Sequence, residues 1–269
     1  MTSGPAPNGP PTLPRRFAVV GGGRAGRAFA AALSAAGWEV AGVHGRDDPS
    51  HGLTDGNDLV VIAVPDDAIA TVAAAIEPGS AALVHVSGAK GLDVLAGHPR
   101  RASVHPLMSL PDPTIGAERL RDGGVFAVAG DPIAWTLVAA LGGQAIEVDD
   151  AHRSLYHAAA AVAANHLVVL CAQVERLAAA VGVPTSAYWD LMAGTLDSVR
   201  RVGAVSSLTG PAARGDDSTL AAHVHSLPAE EHALYVTLAK QAAALAGTTL
   251  QPGWDTVDRE RSGNERPRD

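Results

Sequence analysis

Cysteine is almost missing from this chain: Cys171 is the only one in 269 residues. That excludes a disulfide framework and a cysteine-rich metal site. Its apolar surroundings, Leu167 to Ala172, mark it as an inert core thiol. Lysine is nearly as scarce, with Lys90 and Lys240 alone. The formal net charge is −8 and no run of Lys and Arg forms a basic stripe, which argues against a nucleic-acid partner. No apolar run is long and clean enough to span a bilayer, so no membrane partner is expected. Histidines and carboxylates nowhere take a spacing that suits a metal ion, and no internal repeat is visible. Residues 1–14 lack the basic and apolar regions of a signal peptide and read as a disordered leader. Residues 251–269 read as a flexible tail. The expectation is a soluble, cytoplasmic protein whose partner is a small molecule.

What is present begins at Phe17. The apolar run Phe17-Ala18-Val19-Val20 stops at Gly21-Gly22-Gly23, followed by Arg24, Ala25 and Gly26, and then by an alanine-rich helical stretch. A G-x-G-x-x-G pattern between a strand and a helix is the phosphate-binding turn of a dinucleotide fold. Gly21 permits the tight turn, Gly23 lets a pyrophosphate approach the backbone, and Gly26 lets helix and strand pack closely. The helix start offers free N–H groups and the positive end of its dipole. The next strand, Trp38 to Val43, ends in His44-Gly45-Arg46-Asp47, where the adenosine ribose is met. Arg46 suits a 2′-phosphate, with Arg24 as a second cation nearby, which points to NADP. The alternative leaves Arg46 in solvent and gives the ribose to Asp47.

Strand and helix signals alternate up to about residue 149. Continuous apolar strands end at Val64-Pro65, at Ser87-Gly88 and at His105-Pro106, as expected of a sheet covered on both faces. From Asp150 onward only helical signals remain. The expected fold is α/β, a Rossmann-type doubly wound sheet over 15–149 followed by an all-helical domain over 150–250. The sheet is expected to be mostly parallel, with a mixed edge.

Ligands of such sheets bind beyond the carboxyl ends of the strands. Gly21, Gly22, Gly23, Arg24, Ala25, Gly26, Arg46, Val64, Pro65 and Ser87 are therefore the expected cofactor-binding residues. On the helix after Asp150, His157, Ala161 and Asn165 recur every four residues and share a face. His157 can act as a proton donor at neutral pH and Asn165 can hold a carbonyl. Each has a structural alternative: a helix-surface histidine bonded to a backbone carbonyl, and an interhelical hydrogen bond. His105 is either a catalytic acid or a strand-end residue. Arg214 suits a substrate carboxylate, while the residues around it, Asp216 above all, also read as a turn and helix cap.

The nucleotide half resembles the superfamily of 6-phosphogluconate dehydrogenase, the β-hydroxyacid dehydrogenases, ketopantoate reductase and pyrroline-5-carboxylate reductase. From about Phe17 to Gly247 the chain is similar to a family of Rossmann-like oxidoreductases with a C-terminal helical domain of unknown function. The stretches carrying the resemblance are His85-Val86-Ser87-Gly88, His105 to Ser109, Tyr156 to Ala160 with Asn165, and Leu208 to Pro211 with Arg214-Gly215-Asp216. It implies an NADP-dependent oxidoreductase of a small carboxylate-bearing carbonyl compound, a 2-oxo acid resembling ketopantoate, or else an imine reductase, while the lack of a catalytic lysine keeps a non-catalytic NADP sensor as the alternative. It also implies a homodimer formed through the helices. The β-hydroxyacid dehydrogenases place a lysine four residues before the helix asparagine. This chain has Ala161 there, and His157 is the expected replacement.

Overall fold

A computed structural model describes residues 15–48 and 50–256. The expected leader, and the tail beyond residue 256, lie outside the described residues. The chain divides into two compact units at Leu167/Val168.

The first unit is built on a seven-stranded sheet in the order β2-β1-β3-β4-β5-β6-β7. The strands are β1 (Arg16–Val20), β2 (Glu39–His44), β3 (Leu59–Ile62), β4 (Ala82–His85), β5 (Arg101–Pro106), β6 (Val125–Gly130) and β7 (Gln144–Glu147). All neighbours pair in parallel except β5 and β6. The mixed edge is therefore the β6–β7 pair, parallel within itself and reversed against β5. The expected α/β fold and mostly parallel sheet are both present.

Burial explains the apolar runs. Every residue of β3 and β4 is buried. Alternate side chains enter two cores: Phe17, Val19, Leu59, Val61 and Val84 on one face, and Ala18, Val60, Ile62 and Leu83 on the other. Helix α1 (Arg24–Ala35) closes the first face through Ala28, Phe29, Ala32 and Leu33, with α3 (Pro113–Leu120) and α4 (Ile133–Ala140). Helix α2 (Ile69–Ala75) closes the second through Ile69 and Ala73. It begins at Ile69, so the carboxylates of Asp66 and Asp67 precede it. Helix α3 has no counterpart in the sequence reading, although Asp112 caps it by accepting from the amides of Thr114 and Ile115, with Pro113 in its first turn.

The strand signal does end near residue 149, but the first unit does not. Helix α5 (Arg153–Ala161) and the π-helical turn Val162–His166 belong with the sheet, and the boundary falls inside a helical stretch that continues as α6 (Leu167–Ala180). This corrects the expected domain border at residue 150. Composition registers where strands stop. It does not register that the next helix is tied to the strand ends through Arg153, Tyr156 and His157.

The second unit is all helical: α6, then α7 (Ser186–Val202), the short α8 (Ala204–Ser207) and α9 (Pro211–Arg214), α10 (Asp217–Ser226) and α11 (Ala229–Ala246). Its core gathers Ala212, Leu220, Val224, Ala239 and Trp254. Trp254 is buried and Asp255 pairs with Lys240 at 2.5 Å, so these two residues of the expected tail are held against the helices. Cys171 is half-buried rather than a core thiol. The expectation about apolar runs also needs correcting. Arg153–Ala180 is one helix long and apolar enough to cross a membrane by length and composition. Its alanines raise the mean hydropathy across a stretch that His157, Asn165 and His166 interrupt.

Candidate active site

The glycine turn lies where the chain reverses its direction of travel across the sheet, with β2 on one side of β1 and β3 on the other. Ligands of open α/β sheets settle at this switch point. Gly21 has φ of +115°, and a Cβ there would stand 2.3 Å from the Ala63 carbonyl oxygen. Its amide donates to the His44 carbonyl at 2.8 Å, which joins the turn to the end of β2. A Cβ on Gly26 would stand 1.8 Å from the Gly21 carbonyl oxygen. Gly22 and Gly23 differ: a Cβ on either would meet nothing within 4 Å. Two glycines thus serve packing, and two leave open space in front of a helix start whose cap, Gly23, contributes no side-chain hydrogen bond. That cradle fits a dinucleotide pyrophosphate.

The remaining expected cofactor residues surround it. Val64 touches the turn, lying 3.2 Å from the place of a Gly21 Cβ, and exposed Pro65 follows it. Arg24 is exposed and donates to the Pro111 carbonyl at 3.4 Å, while Ala25 is half-buried. Arg46 is exposed beyond β2 and makes no side-chain hydrogen bond or ion pair among the described residues. Ser87 sits differently. It is buried, and its hydroxyl oxygen accepts from the amides of Ala89 and Lys90 at 3.2 and 3.1 Å, so it shapes the turn after β4. Arg27, which the sequence reading passed over, reaches back to the Gly22 carbonyl at 2.8 Å and braces the turn.

At the carboxyl ends of β4 and β5 a second group of side chains meets. His105 Nδ1 and the Tyr156 hydroxyl are 2.8 Å apart, and the rings of His105 and His157 have centroids 5.6 Å apart. Gly88 lies beneath both histidines. A Cβ there would stand 2.4 Å from His157 Nδ1 and 2.8 Å from His105 Nε2. Helix α5 is held to this strand end by Arg153, almost wholly buried at 1% exposure. Arg153 reaches the Ser87 carbonyl at 3.4 Å and Asp150 at 3.3 Å, and Asp150 in turn accepts the Leu92 amide at 2.9 Å.

Burial decides the charge of this group. His85, fully enclosed at the end of β4, has its pKa lowered to about 4 by desolvation first and then by the Arg153 cation. The Gly91 backbone opposes this slightly, yet neither ring nitrogen makes a hydrogen bond of ordinary geometry. His105 is likewise lowered to about 4 by burial, then by His157 and Arg153. Burial raises the Tyr156 phenol. Both histidines and the tyrosine are therefore uncharged at neutral pH.

A pocket of about 530 Å³ opens beside this group, lined by His105 to Ser109, Tyr156, His157 and the small residues of α5 and the π-turn, with Asn165. His157, Ala161 and Asn165 do share one face, and the π-turn widens the helix where that face borders the pocket. Neither His157 nor Asn165 makes the structural hydrogen bond offered as its alternative, among the described residues. His157 Nδ1 is buried without a partner and Asn165 is exposed. Arg214 belongs to the helical unit, where Asp216 caps α10 through Thr219 as the cap reading held. Tyr156, Arg153, His85 and Gly88 were missed as site residues. Arg153 and Tyr156 lie one turn apart at the start of α5, but nothing in that spacing marks them until the Ser87 carbonyl and His105 stand against them.

Residues 126–242 match the family model described as a domain of unknown function (DUF2520). That match spans less than half of the chain, from β6 into α11. Among solved structures, the protein TM1727 from Thermotoga maritima is 24% identical over 86% of this chain and 98% of its own, with a TM-score of 0.65. A pyrroline carboxylate reductase from Plasmodium falciparum with NADP bound is 12% identical over 86% and 98%, with a TM-score of 0.58. An imine reductase from Myxococcus stipitatus in complex with NADP+ is 16% identical over 86% and 93%, with a TM-score of 0.59. At these identities the likeness establishes the fold. No curated protein matches the sequence.

Proposed function

We propose that this chain is an NADP-dependent oxidoreductase that reduces a small carbonyl compound. The observation that carries the reading is the glycine turn, in which Gly21 and Gly26 are locked by backbone contact while Gly22 and Gly23 leave a cradle open at the start of α1. NADP-bound proteins of the same fold support it. When bound, the cofactor supplies hydride. The cradle would hold its pyrophosphate through the backbone and Arg46 its 2′-phosphate. His157 faces the pocket as proton donor, Asn165 orients the reacting group, and His105 stands behind them. Within this class a 2-oxo acid is the first choice. One observation favours the imine alternative: no lysine or arginine lines the pocket.

A homodimer through the helices after Asp150 belongs to the same proposal. Helix α7 buries none of its 17 residues, and Leu191 and Leu196 are exposed on it, which is apolar surface that a second copy would cover. Light scattering that returns a concentration-independent monomer would contradict this.

The functional test is NADPH consumption by the full chain against 2-oxo acids, cyclic imines and aldehydes. His157→Gln should keep NADPH affinity and lower turnover by roughly 10²–10⁴. NADPH binding without reduction of any of these would favour a non-catalytic sensor, and no binding would defeat the proposal.

A further inference from the structure

We infer that the Tyr156 hydroxyl is the group that hands the proton to the substrate, with the His105 Nδ1–H behind it and His157 beside it. This rests on the oxidoreductase reading and goes beyond it, because that reading gives the proton to His157. Both residues line the pocket, and their hydrogen-bond partners separate them. Tyr156 lines the pocket and its oxygen lies 2.8 Å from His105 Nδ1. The Nδ1 of His157 is instead buried over Gly88 with no partner. A hydroxyl can accept one hydrogen bond while donating another. If His105 carries its proton on Nδ1, that N–H donates to the Tyr156 oxygen, and the phenolic O–H is free to turn into the pocket.

Chemically, reduction leaves an alkoxide or amide nitrogen that needs one proton. Tyr156 supplies it: its O–H bond breaks, the new O–H or N–H bond forms on the product, and the phenolate pair is held by the His105 N–H until solvent returns the proton. A neutral His105 is the form this arrangement needs, and burial together with the nearby Arg153 keeps it neutral well below pH 7. Arg153, pinned between Asp150 and the Ser87 carbonyl, is a positioning residue for both partners.

The test uses the full chain in two arms. In the first, nitrogen NMR of histidine-labelled protein, with His105 assigned through His105→Gln, reads the tautomer at neutral pH. A proton on Nδ1 is the expected result. A bare Nδ1 accepting from Tyr156 overturns the inference, because the phenolic proton is then spent on the histidine. In the second, NADPH affinity and NADPH-dependent reduction of pyruvate, 1-pyrroline and benzaldehyde are compared in wild type and Tyr156→Phe. NADPH affinity should be unchanged and turnover of any probe the wild type reduces should fall roughly 10²–10⁴-fold. Wild-type turnover in the variant overturns the inference and leaves the oxidoreductase reading intact. Failure of the wild type to bind NADPH overturns that reading itself. If NADPH binds but none of the three probes is reduced, the tautomer decides.

Discussion

The two ends of the candidate site are made of different material. At the switch point between β1 and β3 the working surface is backbone: four glycines, two filled by neighbouring carbonyl oxygens and two facing open space. At the ends of β4 and β5 it is side chain, with His85, His105, Tyr156, His157 and Arg153 drawn from β4, β5 and α5 over Gly88. A backbone surface tolerates changes of charge but not of volume. A buried polar cluster tolerates neither loss of a partner nor a change of protonation.

Acid should expose that difference most strongly. His85 and His105 are both lowered to about 4, while the unfolded chain takes up these protons near pH 6.5. A depressed histidine stabilises the fold fully above the unfolded value, and that contribution is lost as pH falls from about 6.5 to about 4. The two together account for up to about 7 kcal/mol. Arg153 lowers both histidines and His157 lowers His105, while Asp66 raises both and Asp150 raises His85. Denaturant midpoints measured between pH 7 and pH 4 check this, and a flat profile would contradict the enclosed, neutral cluster. The glycine turn contributes no titratable group to the effect.

Volume should do the converse. Gly26→Ala places a methyl 1.8 Å from the Gly21 carbonyl oxygen and should destabilise the fold by about 3 kcal/mol, at the upper end for overpacking, as read by denaturant unfolding. Gly22→Ala, with open space around it, should stay within about 0.5 kcal/mol of wild type. Between these lies Arg46→Ala. It should weaken NADPH by about 1.5–3 kcal/mol, the scale of a hydrogen bond to a charged group, and leave NADH almost unaffected. Equal losses for both cofactors would remove Arg46 from the 2′-phosphate.

The same contrast explains what was legible in the sequence. A turn made of backbone leaves its record in consecutive residues, so Gly21 to Gly26 and the strands and helix around them were readable in place. The polar cluster is assembled from β4, β5 and α5, more than 70 positions apart between His85 and His157, and the parallel register of β4 and β5 together with the Arg153 and Tyr156 contacts brings its parts together. His105 and His157 could be nominated singly from strand-end and helix-face arguments. Tyr156 could not, because a lone tyrosine on an alanine-rich helix carries no signal until His105 is found beside it. The unit border was misplaced for a related reason: α5 reads as one more helix, and its attachment to the sheet depends on Arg153 meeting the Ser87 carbonyl. The π-turn at Val162–His166 leaves no mark on an alanine-rich pattern that fits ordinary helical spacing equally well.

The central claim, that the open half of the glycine turn is a nucleotide cradle, is tested most directly by NADPH titration of Gly23→Val. A Cβ at Gly23 meets nothing within 4 Å, and its backbone, with φ of −76° and ψ of −172°, suits any residue. The variant should therefore melt at the temperature of the wild type while losing NADPH binding, because the added side chain occupies the place of the pyrophosphate. Unchanged NADPH affinity in a variant that melts like the wild type would contradict the account.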